Sequence, residues 1–310
     1  LTLGLFCLLC LSAYGQPVSE GGARSLPDLA DFSYGSDPRQ VLDVYLAESE
    51  KPTPAVLHIH GGGWVRGDKK NVPNLEQYLE AGISVVSINY RFTWQAQKAG
   101  IQPPVAWPLA DAARALQTIR LNANAWRINP ELIGATGNSA GACSSLYLAF
   151  HDDMASADSP DPVERESTRL MCAAVFGAQT TLDPAQMRQW IPNSVYGGHA
   201  FGFMDPDDLT SRDKFFDQFL ENRPSIHHWI ENYSPWALVT SDDPPIHLQY
   251  GRAPSEDPMA PDPTHSAQFG VHLQDRCRQA GVPCELAYPG STGNRYQDSA
   301  PFLIAQLRRP

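Results

Sequence analysis

Ser139 lies in the pentapeptide Gly137-Asn138-Ser139-Ala140-Gly141, behind an apolar run and ahead of a helix-like pattern. G-x-S-x-G between a strand and a helix makes a nucleophile elbow. The small residues let strand and helix approach, and the serine takes a strained position that projects its hydroxyl. The start of the helix adds unpaired N–H groups and a positive dipole end near that oxygen. The chemistry implied is attack of a serine oxygen on a carbonyl. Alone, the pentapeptide says little, because a small-residue turn before a helix has the same composition.

A second run, His60-Gly61-Gly62-Gly63-Trp64, follows another apolar segment. Consecutive glycines let the backbone aim N–H groups at one point with no Cβ in the way. The N–H groups of Gly62, Gly63 and Ala140 are expected to form an oxyanion hole. A phosphate-binding loop is disfavoured, since no Lys-Ser or Lys-Thr follows and a bulky tryptophan does.

These runs need elements to hold them. Residues 41–46 alternate apolar and polar, as a half-buried edge strand does, while residues 16–40 are expected to run over the surface. Residues 55–60, 84–90, 132–136, 172–176, 245–250 and 285–288 are short apolar runs of buried strands. Residues 107–124 read as a helix with Leu109, Ala112, Ala113, Leu116 and Ile119 on one stripe. Residues 140–150, 264–280 and 300–307 read as further helices. Such alternation implies an α/β fold: a mainly parallel twisted sheet with helices on both faces. Sites form at the C-terminal strand ends of such sheets. His60 to Gly63, Ser139, the loop 251–266 and the loop 289–297 should therefore converge. Residues 177–240 break the alternation and are rich in aromatics, Trp190, Tyr196 and Trp229 among them. They are expected to form a lid-like insertion or peripheral helices.

With these residues in view, the chain resembles the α/β-hydrolase superfamily, within it the esterases and lipases with an HGGG oxyanion motif. It is most similar to secreted carbohydrate-esterase proteins of the acetyl-xylan or feruloyl type. The resemblance spans nearly the whole chain after residue 15. It also rests on Gly67-Asp68-Lys69, Asn89-Tyr90-Arg91, Pro108 with Asp111, and Asp243-Pro244-Pro245. It implies a Ser-Asp-His triad in that chain order, with Ser139 as nucleophile. The acid is expected in the loop after the 246–250 strand, at Asp257 or at Asp262, with Asp257 preferred. The base is expected between residue 288 and the last helix, where no histidine occurs. Tyr296 or a near neighbour stands there, and a phenol of pKa about 10 is a poor base at neutral pH. Of the nine histidines, His58 and His247 fall within strands, and His60 belongs to the glycine turn. His265 in the acid loop and His199 in the insertion are the candidate replacements.

Composition bounds the rest. The 310 residues suit one large domain over 16–310. A net charge of −11 argues against nucleic acid and anionic lipid as partners. Residues 1–15 are apolar and end in Ala13-Tyr14-Gly15, as a secretory signal does. The mature protein is expected to be secreted or periplasmic, without a membrane span. Neither cofactor nor metal is expected, since no Cys/His spacing resembles a zinc site. Among the cysteines, Cys277 and Cys284 are expected to form a disulfide. Cys143 and Cys172 are expected as a bridge or as two buried thiols. The expected function is a serine hydrolase acting on a small-molecule or polysaccharide ester. The alternative is a catalytically impaired descendant that binds a carbohydrate or ester ligand; a peptidase or formamidase is a lesser option.

Overall fold

A computed structural model of the chain describes residues 26–255 and 257–309. The expected signal segment 1–15, with Cys7 and Cys10, lies outside the described residues. Eight strands form one sheet: β1 (Leu29–Ser33), β2 (Val41–Tyr45), β3 (Thr53–Ile59), β4 (Ser84–Ile88), β5 (Ile128–Asn138), β6 (Cys172–Phe176), β7 (Ile246–Gln249) and β8 (Cys284–Ala287). Their order is β1-β2-β4-β3-β5-β6-β7-β8. Pairings from β4 through β8 are all parallel, and β2 is antiparallel to both β1 and β4.

The central strands are buried on both faces, so they read as continuous apolar runs. Every residue of β4 is buried. One core packs the helices Ala106–Leu121, Ala140–Phe150 and Gln268–Ala280 against one sheet face, through Leu116, Leu146 and Leu273. A second core packs Leu75–Glu80 and Ser299–Leu307 against the other, through Tyr78 and Leu303. This is the α/β-hydrolase architecture. Residues 177–245 form short helices between β6 and β7, among them Pro184–Trp190, Arg223–Tyr233 and the 3-10 turn Gly198–Phe201. No described helix is long and apolar enough to cross a membrane.

The strand order sets where a site can form. From β3 the chain moves outward to β4, then returns past β3 to β5 and continues the other way. The loops after β3 and β5 therefore diverge, and a crevice opens at their C-terminal ends. Ile59 and Gly137 are partners in the β3–β5 register, so the glycine turn and the serine turn leave the sheet side by side.

Three expectations need correction. Residues 29–33 form β1, which pairs with β2, so β2 lies inside the sheet and is almost wholly buried. The signal was weak because β1 is mostly exposed. Cys277 and Cys284 are both free thiols. They hydrogen-bond one another, and that contact with burial holds the Cys284 thiol well above its usual pKa. Cys143 and Cys172 are also free and buried, and belong to the cores on opposite faces of the sheet. Finally, the helix expected over 264–280 starts only at Gln268, preceded by the 3-10 turn Pro263–His265.

The family-like residues outside the site fasten strand ends to helices. Asp111, on the helix Ala106–Leu121, is 1% exposed and accepts from the Arg91 backbone N–H at 2.8 Å and from its guanidinium at 2.6 Å. Gln40 donates to the same carboxylate at 2.8 Å. Removing one partner of a buried ion pair strands the other charge. Asp111→Ala is therefore expected to lower unfolding stability by about 3 kcal/mol, read as the shift in the urea denaturation curve.

Candidate active site

The serine turn is built by steric exclusion. A Cβ on Gly137 would lie 2.5 Å from the Ile59 carbonyl oxygen, and one on Gly141 only 2.0 Å from it. Only glycine at both positions lets β5 and the helix Ala140–Phe150 close on β3. Ser139 between them has φ 52° and ψ −121°, a conformation that side-chain-bearing residues rarely adopt. Its backbone N–H is satisfied by the Phe176 carbonyl at 2.9 Å.

The glycine turn is pinned to this elbow at two points. Gly61 N–H donates to the Asn138 side-chain oxygen at 3.0 Å. The indole of Trp64, fully buried, donates to Ser144 Oγ at 3.0 Å, one turn into the helix that follows Ser139. Gly62 and Gly63 have φ +108° and +65°. The turn thus stands beside Ser139, with the first residues of the helix N-terminus opposite.

His60 braces the turn from below. Its ring stacks on Tyr90 with centroids 4.3 Å apart, and the Tyr90 hydroxyl donates to the His60 carbonyl at 2.8 Å. Burial lowers the His60 pKa to about 4, so the ring is neutral near pH 7.

His265 reaches the serine. Its Nε2 lies 3.0 Å from Ser139 Oγ. Its Nδ1 lies 2.9 Å from Asp262 Oδ2. An ionised carboxylate only accepts, so Nδ1 carries the proton and Nε2 is left to accept from the serine hydroxyl. Asp262 caps the 3-10 turn Pro263–His265 and also accepts from the His265 backbone N–H at 3.3 Å. The carboxylate and the imidazole are therefore three residues apart on one turn. That turn is short enough to hold both side chains on the same side. The geometry is that of a nucleophile, a base and an orienting acid.

The other aspartate plays a different part. Asp257 accepts from the Met259 N–H at 2.8 Å in an Asx turn and is exposed. The structure thus joins Asp262, not the preferred Asp257, to a histidine. Tyr296 stays away from the serine: its ring packs edge-on against Phe302 in the core of the opposite sheet face. Its carbonyl accepts from His247 Nε2 at 3.2 Å. The loop 289–297 therefore does not converge with the other three. His199 is fully buried behind the glycine turn, beside Trp64 and Tyr196. Burial and the charge of Arg212 lower its pKa to about 3. His58 is buried against Ser87 at 2.9 Å, and His272 stacks on Trp190 at 4.1 Å.

What holds His265 in place is not visible in its own loop. Gln179, fully buried just after β6, donates to the Thr264 carbonyl at 2.6 Å and to the Gly177 carbonyl at 3.2 Å. Asn193 donates to the Ala260 carbonyl at 2.9 Å. The imidazole itself lies over Gly177, whose missing Cβ would meet its Cδ2 at 3.4 Å. Sequence reasoning passed over Gln179 and Asn193, because an amide side chain carries no motif.

A family model described as BD-FAE matches residues 42–269, and the chain belongs to that family. It is 25% identical over 273 residues to the esterase LipQ of Mycobacterium tuberculosis, covering 81% of this chain and 54% of that protein. It is 29% identical over 274 residues to LipM of the same organism, described as a probable carboxylic ester hydrolase, covering 83% and 54%. The chain thus spans about half the length of these curated relatives. Among solved structures it is similar to a truncated carbohydrate esterase from gut microbiota. The TM-score is 0.65 with 21% identity, covering 91% of this chain and 96% of that one.

The brace from Gln179 is testable through the reactivity of Ser139. Gln179→Ala is expected to slow labelling by a fluorophosphonate about tenfold, the worth of one to two hydrogen bonds. Thermal unfolding followed in parallel separates this from loss of the fold. An unchanged labelling rate would show that the contact does not position His265.

Proposed function

We propose that this member of the BD-FAE family is a serine carboxylic-ester hydrolase in which Ser139, His265 and Asp262 form the triad. The observation that carries the reading is the 3.0 Å contact of His265 Nε2 with Ser139 Oγ. Ser139 attacks the ester carbonyl as His265 takes its proton. Asp262 holds the imidazole in the required tautomer and stabilises the imidazolium. The N–H groups of Gly62, Gly63 and Ala140 receive the oxyanion. His265 then protonates the departing alcohol, and water, activated by the same base, releases the acid. The substrate in this reading is a small-molecule or polysaccharide ester, and the chain is exported by residues 1–15.

The binding-only alternative drew on an empty base position. His265 beside Ser139 favours turnover over it, because a retained pocket alone would not require an acid and base aligned on the nucleophile. The base comes from the acid loop rather than from the loop after β8.

Hydrolysis of 4-nitrophenyl acetate tests the reading. Ser139→Ala and His265→Ala are each expected to lower kcat by at least about 1000-fold. Tyr296→Phe is expected to stay within about twofold of wild type, since its ring touches none of the reacting groups. Absence of both turnover and fluorophosphonate labelling in folded wild type would sink the enzyme reading. A loss in Tyr296→Phe as deep as that in His265→Ala would displace the base.

A further inference from the structure

The segment between β6 and β7 sets a cation beside the oxyanion turn that the triad does not use. Arg212 directly follows the 3-10 turn Leu209–Ser211. Its Nε and Nη2 donate to Asp213, the first at 2.9 Å. Nη1 turns the other way, onto the glycine turn: a Cβ on Gly63 would lie 2.7 Å from it. Adding a carbon–carbon bond of about 1.5 Å places that nitrogen within about 4.2 Å of the Gly63 Cα. The Arg212 side chain is 25% exposed, and its guanidinium carbon lies 5.2 Å from the centroid of the Tyr196 ring. Asp213 therefore orients Arg212, and Tyr196 gives it a flat wall.

Behind this cation lies a buried polar layer. The Tyr196 hydroxyl is buried and makes no hydrogen bond among the described residues, and the buried His199 ring packs edge-on against Tyr196 beside the Gly63 backbone. These atoms are closed to solvent, so the polar group open to a substrate is the partly exposed guanidinium of Arg212. Its charge decides which ligand it takes. Asp213 occupies one edge of the guanidinium, and the Nη1–Nη2 edge keeps two parallel N–H donors. That edge matches a carboxylate, whose two oxygens take parallel N–H bonds. The chain as a whole carries −11 and repels anions at long range. A fixed local cation is what an anionic substrate would need.

We propose that the Nη edge of Arg212 is a subsite for a carboxylate carried by the substrate within a few ångströms of its ester carbonyl. The protein then prefers esters of acidic units to neutral ones. The proposal rests on the esterase reading and names its substrate class. The carboxylate belongs either to the acyl part, as in the half-ester of a dicarboxylic acid, or to the alcohol part, as in an esterified uronic acid.

Two substrate pairs separate these sources. The first is 4-nitrophenyl hemisuccinate against 4-nitrophenyl butyrate; the second is acetylated glucuronic acid against acetylated glucose. At low salt, wild type is expected to favour the charged member of one pair by about tenfold or more in kcat/KM. The pair that shows it identifies the source. Raising the salt to about 0.5 M should erode the preference through screening. Arg212→Gln should reduce the charged-to-neutral ratio about 10- to 100-fold, and Arg212→Lys should keep part of it. Should Arg212→Gln fail to fold, the salt dependence of wild type decides. A ratio near one in both pairs, or a ratio unchanged in folded Arg212→Gln, overturns the subsite. No turnover of any of the four esters overturns the esterase reading instead.

Discussion

The contact on which the site depends is between the Ile59 carbonyl and the two glycines that flank Ser139. No Cβ fits at Gly137 or Gly141, so the β5 turn can close on the end of β3 only with this sequence. Closure brings the glycine turn alongside the nucleophile. Asn138 and Trp64 then lock it there with hydrogen bonds across the gap. The glycine turn and the serine are thus positioned by backbone packing between adjacent parallel strands. Such positioning is stiff, because both strands are buried and paired on both sides.

His265 is held by a different and more local device. Asp262 caps the 3-10 turn that carries His265, so the carboxylate orients the imidazole without help from a second loop. What the turn cannot supply is its own location. That comes from Gln179 and Asn193, which grip the Thr264 and Ala260 carbonyls. One half of the site therefore rests on the sheet and the other on side-chain amides from the inserted segment. His265 and Asp262 are 39% and 46% exposed, against complete burial for Gln179. The anchoring contact is dry while the reacting groups face the crevice.

Burial also sorts the histidines. Desolvation pushes His58 to a pKa of about 3 and His60 to about 4, and His199 is held at about 3 by burial together with Arg212. Each is neutral at physiological pH: His58 packs within β3 against Ser87, and His60 and His199 pack in and behind the glycine turn. His265 differs in having a carboxylate on one nitrogen and the serine on the other. That pairing, not the residue type, separates a base from a structural imidazole.

How much was legible depends on whether a feature is local. The parallel sheet could be read from apolar runs separated by helical stripes, because strands buried on both faces leave an unbroken apolar trace. The serine elbow and the glycine turn were legible because close backbone approach demands glycine at fixed spacings. The strand at 29–33 was not, since an exposed edge strand needs no apolar pattern. The thiol pair Cys277 and Cys284 has short spacing in the chain, but spacing does not decide whether sulfurs bond. Which histidine meets Ser139 was decided only in three dimensions. His265 and Tyr296 lie on loops from neighbouring strands, β7 and β8, and nothing in either loop states which one bends over the elbow. Tertiary packing chose: the half-buried ring of Tyr296 packs edge-on against Phe302 on the other sheet face, while the amides of Gln179 and Asn193, far upstream in the chain, hold the His265 loop against the serine. A sequence records the residues that backbone geometry requires, but not the long-range hydrogen bonds that select among side chains chemically able to do the same work.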